Sequence, residues 1–332
     1  MPQPKSEIIL VTGGAGYIGS HTIKALLSRG YEVVALDNLS VGHREFVLCE
    51  EFVKADLLDR EALERVFQKY PIRSVIHFAA KTAVGESVEN PEVYYYNNVV
   101  GTLNLLSAMR AHGVGEIVFS SSAAVYGDPE RIPIPEDHPK RPKSPYGRTK
   151  LMMEEILADY SRAYGIKYVA LRYFNAAGSD PEGVIGEWHD PETHLIPIVL
   201  EAALGVRDHV EIFGTDYPTP DGTCIRDFIH VVDLAEAHVL ALERLREGRA
   251  GPAYNLGTGV GHSVREVIEV CKRVTGRDFR VVEGPRRPGD PPALVADPTK
   301  AKQELGWEPR FTELEEIIAT AWEWMLKLYG RR

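Results

Sequence analysis

An α/β fold with a doubly wound parallel sheet is predicted by three features of the 332-residue chain. Short apolar runs alternate with stretches of helical period, the first run opens directly into closely spaced glycines, and an acidic residue closes the second. Residues 7–12 (E-I-I-L-V-T) read as a buried strand running into Gly13-Gly14-Ala15-Gly16-Tyr17-Ile18-Gly19, and a helix follows through Ile23, Leu26 and Leu27. Glycines spaced as Gly13, Gly16 and Gly19 let a strand turn tightly, let backbone approach a pyrophosphate, and let helix pack on strand, with the helix N-terminus facing the anion. Residues 32–36 form the next strand and end in Asp37, eighteen residues beyond Gly19. A carboxylate there accepts from both hydroxyls of an adenosine ribose. Together these make the fold Rossmann-type and the cofactor a dinucleotide; the same acid repels a 2′-phosphate and so favours NAD over NADP. Arg44 reads as a solvated loop residue.

Further strands are expected at 52–54, 74–79, 116–120 and 168–172, with helices between them at 61–69, 93–111 and 146–164. Ligands of such sheets sit beyond the carboxyl ends of the strands. The glycines, Phe78-Ala79-Ala80 and Ser120-Ser121-Ser122 all fall there. Past Gly178 the texture changes to loops rich in Gly, Pro, Asp and Thr, with periodic helices at 231–246, 264–274 and 312–328. This predicts a Rossmann domain over 1–177 and a smaller, partly interleaved C-terminal α/β domain over 178–332, some of whose segments return to the first.

The net charge is −10, and no basic run exceeds Arg286-Arg287 or Arg331-Arg332, which argues against nucleic acid as a partner. No apolar run approaches the ~18 residues of a membrane span. The start, M-P-Q-P-K-S, carries no signal peptide, so no membrane partner and a cytoplasmic location are expected. Cys49, Cys224 and Cys271 are far apart and read as reduced structural thiols. His189 and His194 are too irregularly spaced to suggest a metal, and none is expected.

Chemistry is concentrated in S-P-Y-G-R-T-K, where Tyr146 precedes Lys150 by four residues, and in the serine run upstream. Residues i and i+4 share a helix face at a rise of ~6 Å, so both side chains can enter one pocket. A phenol with its usual pKa of ~10 needs on the order of 4 kcal/mol to ionise at neutral pH. One ammonium at ~5 Å in an effective dielectric of ~20 supplies about 3 kcal/mol of that, before desolvation is counted. Lys150 is therefore expected to depress the Tyr146 pKa, with a second cation, such as an oxidised nicotinamide ring, completing the effect. A bare Y-x-x-x-K is usually a surface pair; the glycines and Asp37 give this one its meaning.

The chain carries T-G-G-A-G-Y-I-G-S-H, L-D-N-L-S, H-F-A-A, A-V-G-E-S, N-N-V-V-G-T, F-S-S-S-A-A-V-Y-G, S-P-Y-G-R-T-K and L-R-Y-F-N-A-A-G in this order. It continues with I-F-G-T-D-Y-P-T-P-D-G-T, I-R-D-F-I-H-V-V-D-L-A, Y-N-L-G-T-G and R-R-P-G-D. Over essentially its full length it resembles the sugar-nucleotide 4-epimerases of the extended short-chain dehydrogenase/reductase family. The resemblance implies Tyr146 as catalytic base and acid, Lys150 on the nicotinamide ribose, and Ser122 on the reacting 4-hydroxyl. It implies NAD contacts from Gly13, Gly16, Tyr17, Ile18 and Gly19 at the turn, from Asp37 and Asn38 on the adenosine ribose, and from Asp56 and Leu57 near adenine. Phe78, Ala79, Asn98 and Phe174 complete that set, with Ser122, Tyr146 and Lys150 shared. On general grounds a helix-capping role for Asp56 or Asp59 is as good a reading as the adenine contact. Asn175, Phe213, Arg226, Arg287, Asp290 and Leu294 would join Ser122 and Tyr146 around a UDP-hexose, the guanidinium forks matching diphosphate oxygens. A homodimer is implied through pairing of the 93–111 and 146–164 helices.

The implied reaction interconverts UDP-galactose and UDP-glucose. Tyr146 takes the O4 proton as C4 is oxidised, the 4-keto hexose swings about its phosphate linkage, and hydrogen returns from the other side. Several positions depart from the family pattern. Thr82 stands where some members have a lysine touching NAD, with Lys81 beside it, and neither is assigned to the cofactor. His194 replaces a substrate-loop asparagine. Leu294 occupies the place of a tyrosine that narrows the hexose pocket, so UDP-N-acetylhexosamines are expected to be turned over as well. Ala123 and Ala124 stand where 4,6-dehydratases carry an acid–base pair contributing ~10²- to 10⁴-fold, which rejects dehydration. A UDP-glucuronate 4-epimerase would differ only in its hexose contacts. A non-catalytic NAD-binding redox sensor would have lost Tyr146 or Lys150, and both are present.

Overall fold

A computed structural model describes residues 8–249, 251–287 and 289–330; Glu7, the M-P-Q-P-K-S start and Arg331-Arg332 lie outside the described residues. In chain order the strands are β1 (Ile8–Thr12), β2 (Glu32–Asp37), β3 (Glu51–Lys54), β4 (Ile72–His77), β5 (Glu116–Ser122), β6 (Lys167–Tyr173), β7 (Asn175–Ala177), β8 (Val210–Phe213), β9 (Ile225–Arg226), β10 (Phe228–His230), β11 (Ala253–Leu256), β12 (His262–Ser263), β13 (Val281–Gly284) and β14 (Ala293–Leu294). The α-helices are α1 (Tyr17–Ser28), α2 (Arg60–Lys69), α3 (Val84–Glu89), α4 (Pro91–Tyr94), α5 (Gly101–Ala111), α6 (Pro145–Tyr164), α7 (Leu195–Leu204), α8 (Val231–Arg246), α9 (Val264–Thr275) and α10 (Leu314–Gly330).

A seven-stranded parallel sheet runs β11-β6-β5-β4-β1-β2-β3. Its winding reverses between β1 and β4, where such sheets open a crevice at their carboxyl ends. The central strands are continuous apolar runs because both faces are covered. Ile23 and Leu26 of α1 pack with Leu234 and Leu242 of α8 on one face. Phe67 of α2, Met109 of α5 and Leu157 of α6 fill the other. A second core joins α7, α9 and α10 through Leu200, Ile268 and Trp324. β11 and α8, both from the later half of the chain, belong to the central layers: β11 pairs with β6, and α8 packs on α1 and the sheet.

Several expected boundaries move for identifiable reasons. β4 ends at His77 instead of Ala79, because the Phe78 and Ala79 amides both turn to donate to Thr12 O, at 2.9 and 3.2 Å. β5 extends through Ser122. The helix expected at 93–111 is a helical run in which a π-type turn, Tyr95–Val100, separates α4 from α5. α6 starts where Ser144 Oγ accepts from Gly147 N at 3.1 Å and stops at Gly165, whose φ of 72° is left-handed. α7 was not expected: it is apolar nearly all round (L-I-P-I-V-L-E-A-A-L), which hides its period. Among the described residues, no helix is long and apolar enough to cross a membrane.

Candidate active site

The three serines at the end of β5 turn three ways. Ser120 offers its backbone oxygen to Lys150 Nζ at 2.7 Å, and its hydroxyl accepts from Tyr173. Ser121 Oγ donates to Glu154 Oε1 at 2.6 Å. Ser122 Oγ accepts from the Ala124 amide at 3.1 Å and lies near enough to the Tyr146 phenol to favour its ionised form. Tyr146 and Lys150 lie one turn apart on α6, with the ammonium 5.9 Å from the Tyr146 ring centre and 5.1 Å from that of Phe119.

The expectation that Lys150 depresses the Tyr146 pKa is corrected by this geometry. The ammonium is 1% exposed and donates to Ser120 O. Burial lowers its own pKa to about 7, against the attraction of Glu154. The Tyr146 phenol is itself pushed above its ordinary value by burial, which outweighs the opposing influence of Ser122. Raised above its ordinary value, the phenol is neutral at pH 7.

Behind this pair lies a buried network that sequence reasoning missed. Arg172 grips Glu154 in a fork at 2.8 and 2.6 Å, and its Nη1 donates to Tyr126 Oη at 2.9 Å. Tyr126 in turn donates to Asn255 Oδ1 at 2.7 Å. A signal was present, because Glu154 sits four residues beyond Lys150 and so on the same helix face.

The glycine turn fits a dinucleotide. Gly13 has a left-handed φ of 72°, and a Cβ there would stand 2.7 Å from Ala79 N; one on Gly19 would stand 2.1 Å from Gly13 O. Gly16 caps α1 without a side chain, leaving the first-turn amides of Tyr17 and Ile18 for an anion. The Tyr17 hydroxyl donates to Gly178 O, so this residue faces the crevice with its backbone. Asp37 is buried and its two oxygens accept from Ala15 N at 3.0 Å and Leu39 N at 2.8 Å. Burial raises its pKa despite those two amides. Asn38 Nδ2 donates to Asp56 Oδ2 at 2.8 Å, while the helix cap is Asp59, which accepts from Ala62 N at 2.9 Å. That settles which of the two acids caps α2. Leu57 is buried and within reach of Gly101.

Asn98 lies in the π-type turn and clamps the segment after β4: its Oδ1 accepts from Lys81 N at 2.8 Å, and its Nδ2 donates to Lys81 O at 3.0 Å and Thr149 Oγ1 at 3.1 Å. The Phe78 ring lies 4.6 Å from that of His238. His77 bridges Thr12 and Thr102 hydroxyls at 2.7 and 2.8 Å, and burial lowers its pKa to about 3. Arg44 is not simply solvated, since its guanidinium stacks 4.6 Å from the Phe52 ring centre.

On the other side, a chain of neighbours leads from β8 toward the turn after β5. The Arg287 guanidinium lies 5.0 Å from the centre of the half-exposed Phe213 ring and donates to Asp290 Oδ2 at 2.9 Å. Asp290 Oδ1 is 4.0 Å from Arg226, which donates to Pro291 O at 2.9 Å. Arg226 pairs with Leu294 across β9 and β14. Leu294 and Phe174 both pack against the small core formed by Ala123, Val125, Tyr126 and Ile134. Asn175 N donates to Asp227 O at 3.0 Å, and the buried Asp227 carboxylate collects amides from Thr258, Gly259 and Ala296.

Residues 9–257 match the NAD dependent epimerase/dehydratase family. The chain belongs to that family. The chain is 54% identical over 316 residues to the UDP-glucose 4-epimerase of Halalkalibacterium halodurans, covering 95% of each chain. Its structure is similar to that of UDP-glucose 4-epimerase from Brucella ovis in complex with NAD, with a TM-score of 0.93, 54% identity, and coverage of 96% of this chain and 98% of that one. It is also similar to the UDP-Glc/GlcNAc 4-epimerase from the human pathogen Campylobacter jejuni, with a TM-score of 0.85, 43% identity, and coverage of 97% and 99%.

Proposed function

We propose that the protein interconverts UDP-glucose and UDP-galactose by inverting C4 with a retained NAD. The observation that carries this reading is the placing of Lys150 at the end of β5, donating to Ser120 O at 2.7 Å with its ammonium 5.9 Å from the Tyr146 ring centre, together with the tight glycine turn after β1. In this reading Gly13, Gly16, Tyr17, Ile18 and Gly19 take the pyrophosphate, Asp37 and Asn38 the adenosine ribose, Asp56 and Leu57 the adenine. Phe78, Ala79, Asn98 and Phe174 line the crevice toward Lys150, which takes the nicotinamide ribose. When bound, NAD supplies the reversible oxidation of the C4 carbinol and a positively charged ring.

Ser122 orients the sugar O4, and Tyr146 Oη takes its proton and later returns it, so one group serves as base and acid. Arg226 and Arg287, steered by Asp290 and flanked by Phe213 and Asn175, hold the uridine diphosphate, while apolar Leu294 leaves the hexose free to turn. The same leucine leaves room for an N-acetyl group, and the similarity to a UDP-Glc/GlcNAc 4-epimerase supports turnover of both sugar pairs. Residues 1–177 and 178–332 divide the binding of dinucleotide and sugar nucleotide, with α8 and β11 returning to the first. Exposed Tyr96, Val100 and Met152, on the helical run before α5 and on α6, support a homodimer through those helices. Three buried free cysteines suit the reducing cytoplasm.

Purified protein given UDP-galactose and no added cofactor is expected to form UDP-glucose. Tyr146→Phe is expected to slow this by at least ~10²- to 10⁴-fold with bound NAD unchanged; a variant that keeps most of its activity removes the assignment.

A further inference from the structure

Between β7 and α7, beside the Tyr17 ring at the start of α1, Glu187, His189, Glu192 and His194 bring one donor atom each to within 4.8 Å of one another. His194 Nδ1 lies 3.0 Å from Glu187 Oε1 and 2.9 Å from Glu192 Oε1. His189 Nδ1 lies 3.5 Å from Glu187 Oε1 and 3.4 Å from Glu192 Oε2. Imidazole and carboxylate donors bind a tetrahedral ion at ~2.0–2.2 Å, which sets the edges between them at roughly 3.3–3.6 Å. The four histidine–carboxylate contacts lie within a few tenths of an ångström of that spacing, and the whole set, which spans up to 4.8 Å, draws together as the ion is taken up. Two carboxylates and two neutral imidazoles also balance the charge of one divalent cation, and this donor set is borderline in softness.

A second observation points the same way. His189 Nδ1 is buried and makes no hydrogen bond, although two carboxylates face it. A proton on His194 accounts for that residue's two short contacts and leaves His189 unmet, whereas one cation satisfies all four donors. The frame is already rigid. Trp324 Nε1 donates to Glu187 O at 2.8 Å, the Trp188 ring stacks on His43 at 3.8 Å, and Glu192 Oε1 accepts from the Thr193 and His194 amides at 2.7 and 2.8 Å. Both carboxylates are shielded, with side-chain exposures of 7% and 5%, while His194 at 47% leaves a way in.

We propose that Glu187, His189, Glu192 and His194 bind one divalent transition-metal ion of the zinc type. The ion ties the loop to the start of α1, since the His189 ring meets the Tyr17 ring edge-on at 6.3 Å. The turn of the 187–194 loop brings together histidines whose spacing along the chain gives no metal pattern.

The test uses the holoenzyme, stripped with a chelator and dialysed against micromolar ZnCl₂, with bound metal counted by mass spectrometry. One zinc per chain is expected. His189→Gln and Glu192→Gln are each expected to weaken binding beyond the ~10- to 100-fold that outer-shell changes cost. His262→Gln, at the separate His262–Glu266 pair, is expected to leave uptake intact. Co²⁺ is expected to give the intense visible absorption of a tetrahedral site in the wild type and to lose it in the first two variants, whose folding is checked by circular dichroism. Sub-stoichiometric uptake by the wild type, or uptake undiminished in folded His189→Gln and Glu192→Gln, overturns the proposal.

Discussion

Lys150 is a cation placed where water cannot reach it, and its cost to the fold has a definite pH signature. Its pKa in the folded chain is about 7, below the ordinary 10.5, so between those values the unfolded chain holds the extra proton. Stability therefore rises with pH across that window on account of this group. Lys150→Met removes the charge and is expected to stabilise the protein by about 1–4 kcal/mol near pH 6.5, the range seen when buried charges give way to apolar residues. The gain should shrink as pH climbs toward 10, which urea unfolding of both proteins at pH 6.5 and 9.5 would check; a gain independent of pH would contradict the linkage. That Tyr146 and Lys150 share a face was legible from their spacing of four. Which atom the ammonium meets was not, because the Ser120 carbonyl lies thirty residues away in the chain and its direction is set by the pleat of β5. The same applies to Asp56 and Asp59, both candidate caps until the turn after β3 is built.

At the scale of elements, the π-type turn between α4 and α5 does the positioning. The wider turn carries Asn98 to the segment after β4, where its amide matches both the donor and the acceptor of Lys81. Asn98→Leu keeps the volume and leaves those buried groups unmet, so it is expected to destabilise the protein by about 1–3 kcal/mol for each group stranded. A urea midpoint equal to wild type would show that the clamp is dispensable. No composition marks a π-type turn, since it changes the register by one residue while the apolar pattern on either side stays helical. Central strands were easier: buried on both faces, they appear as unbroken apolar runs. The short strands β9, β12 and β14, two residues each, carry too few side chains for any period to show.

At the scale of the whole molecule, the candidate site is a seam. Leu294, from the later part of the chain, and Phe174, from its middle, both pack against the small core of Ala123, Val125, Tyr126 and Ile134 that follows Ser122. Leu294→Tyr is expected to suppress turnover of UDP-N-acetylglucosamine while sparing UDP-galactose, measured as separate steady-state rates; equal loss on both would point to general disruption. The two-layered plan of helices around a parallel sheet was legible from alternation alone, and the late return of α8 and β11 was foreseen only as unspecified segments. The partner strand of β6 is about 80 residues further along the chain. At ~5–20 residues per second, a ribosome needs roughly 4–16 s to deliver it. Throughout that interval the nascent protein shows a bare row of amides and carbonyls to its neighbours, a template for cross-chain association. Fragments ending before residue 253 should accordingly precipitate on expression, and slower translation of the 174–256 stretch should lower the yield of native enzyme.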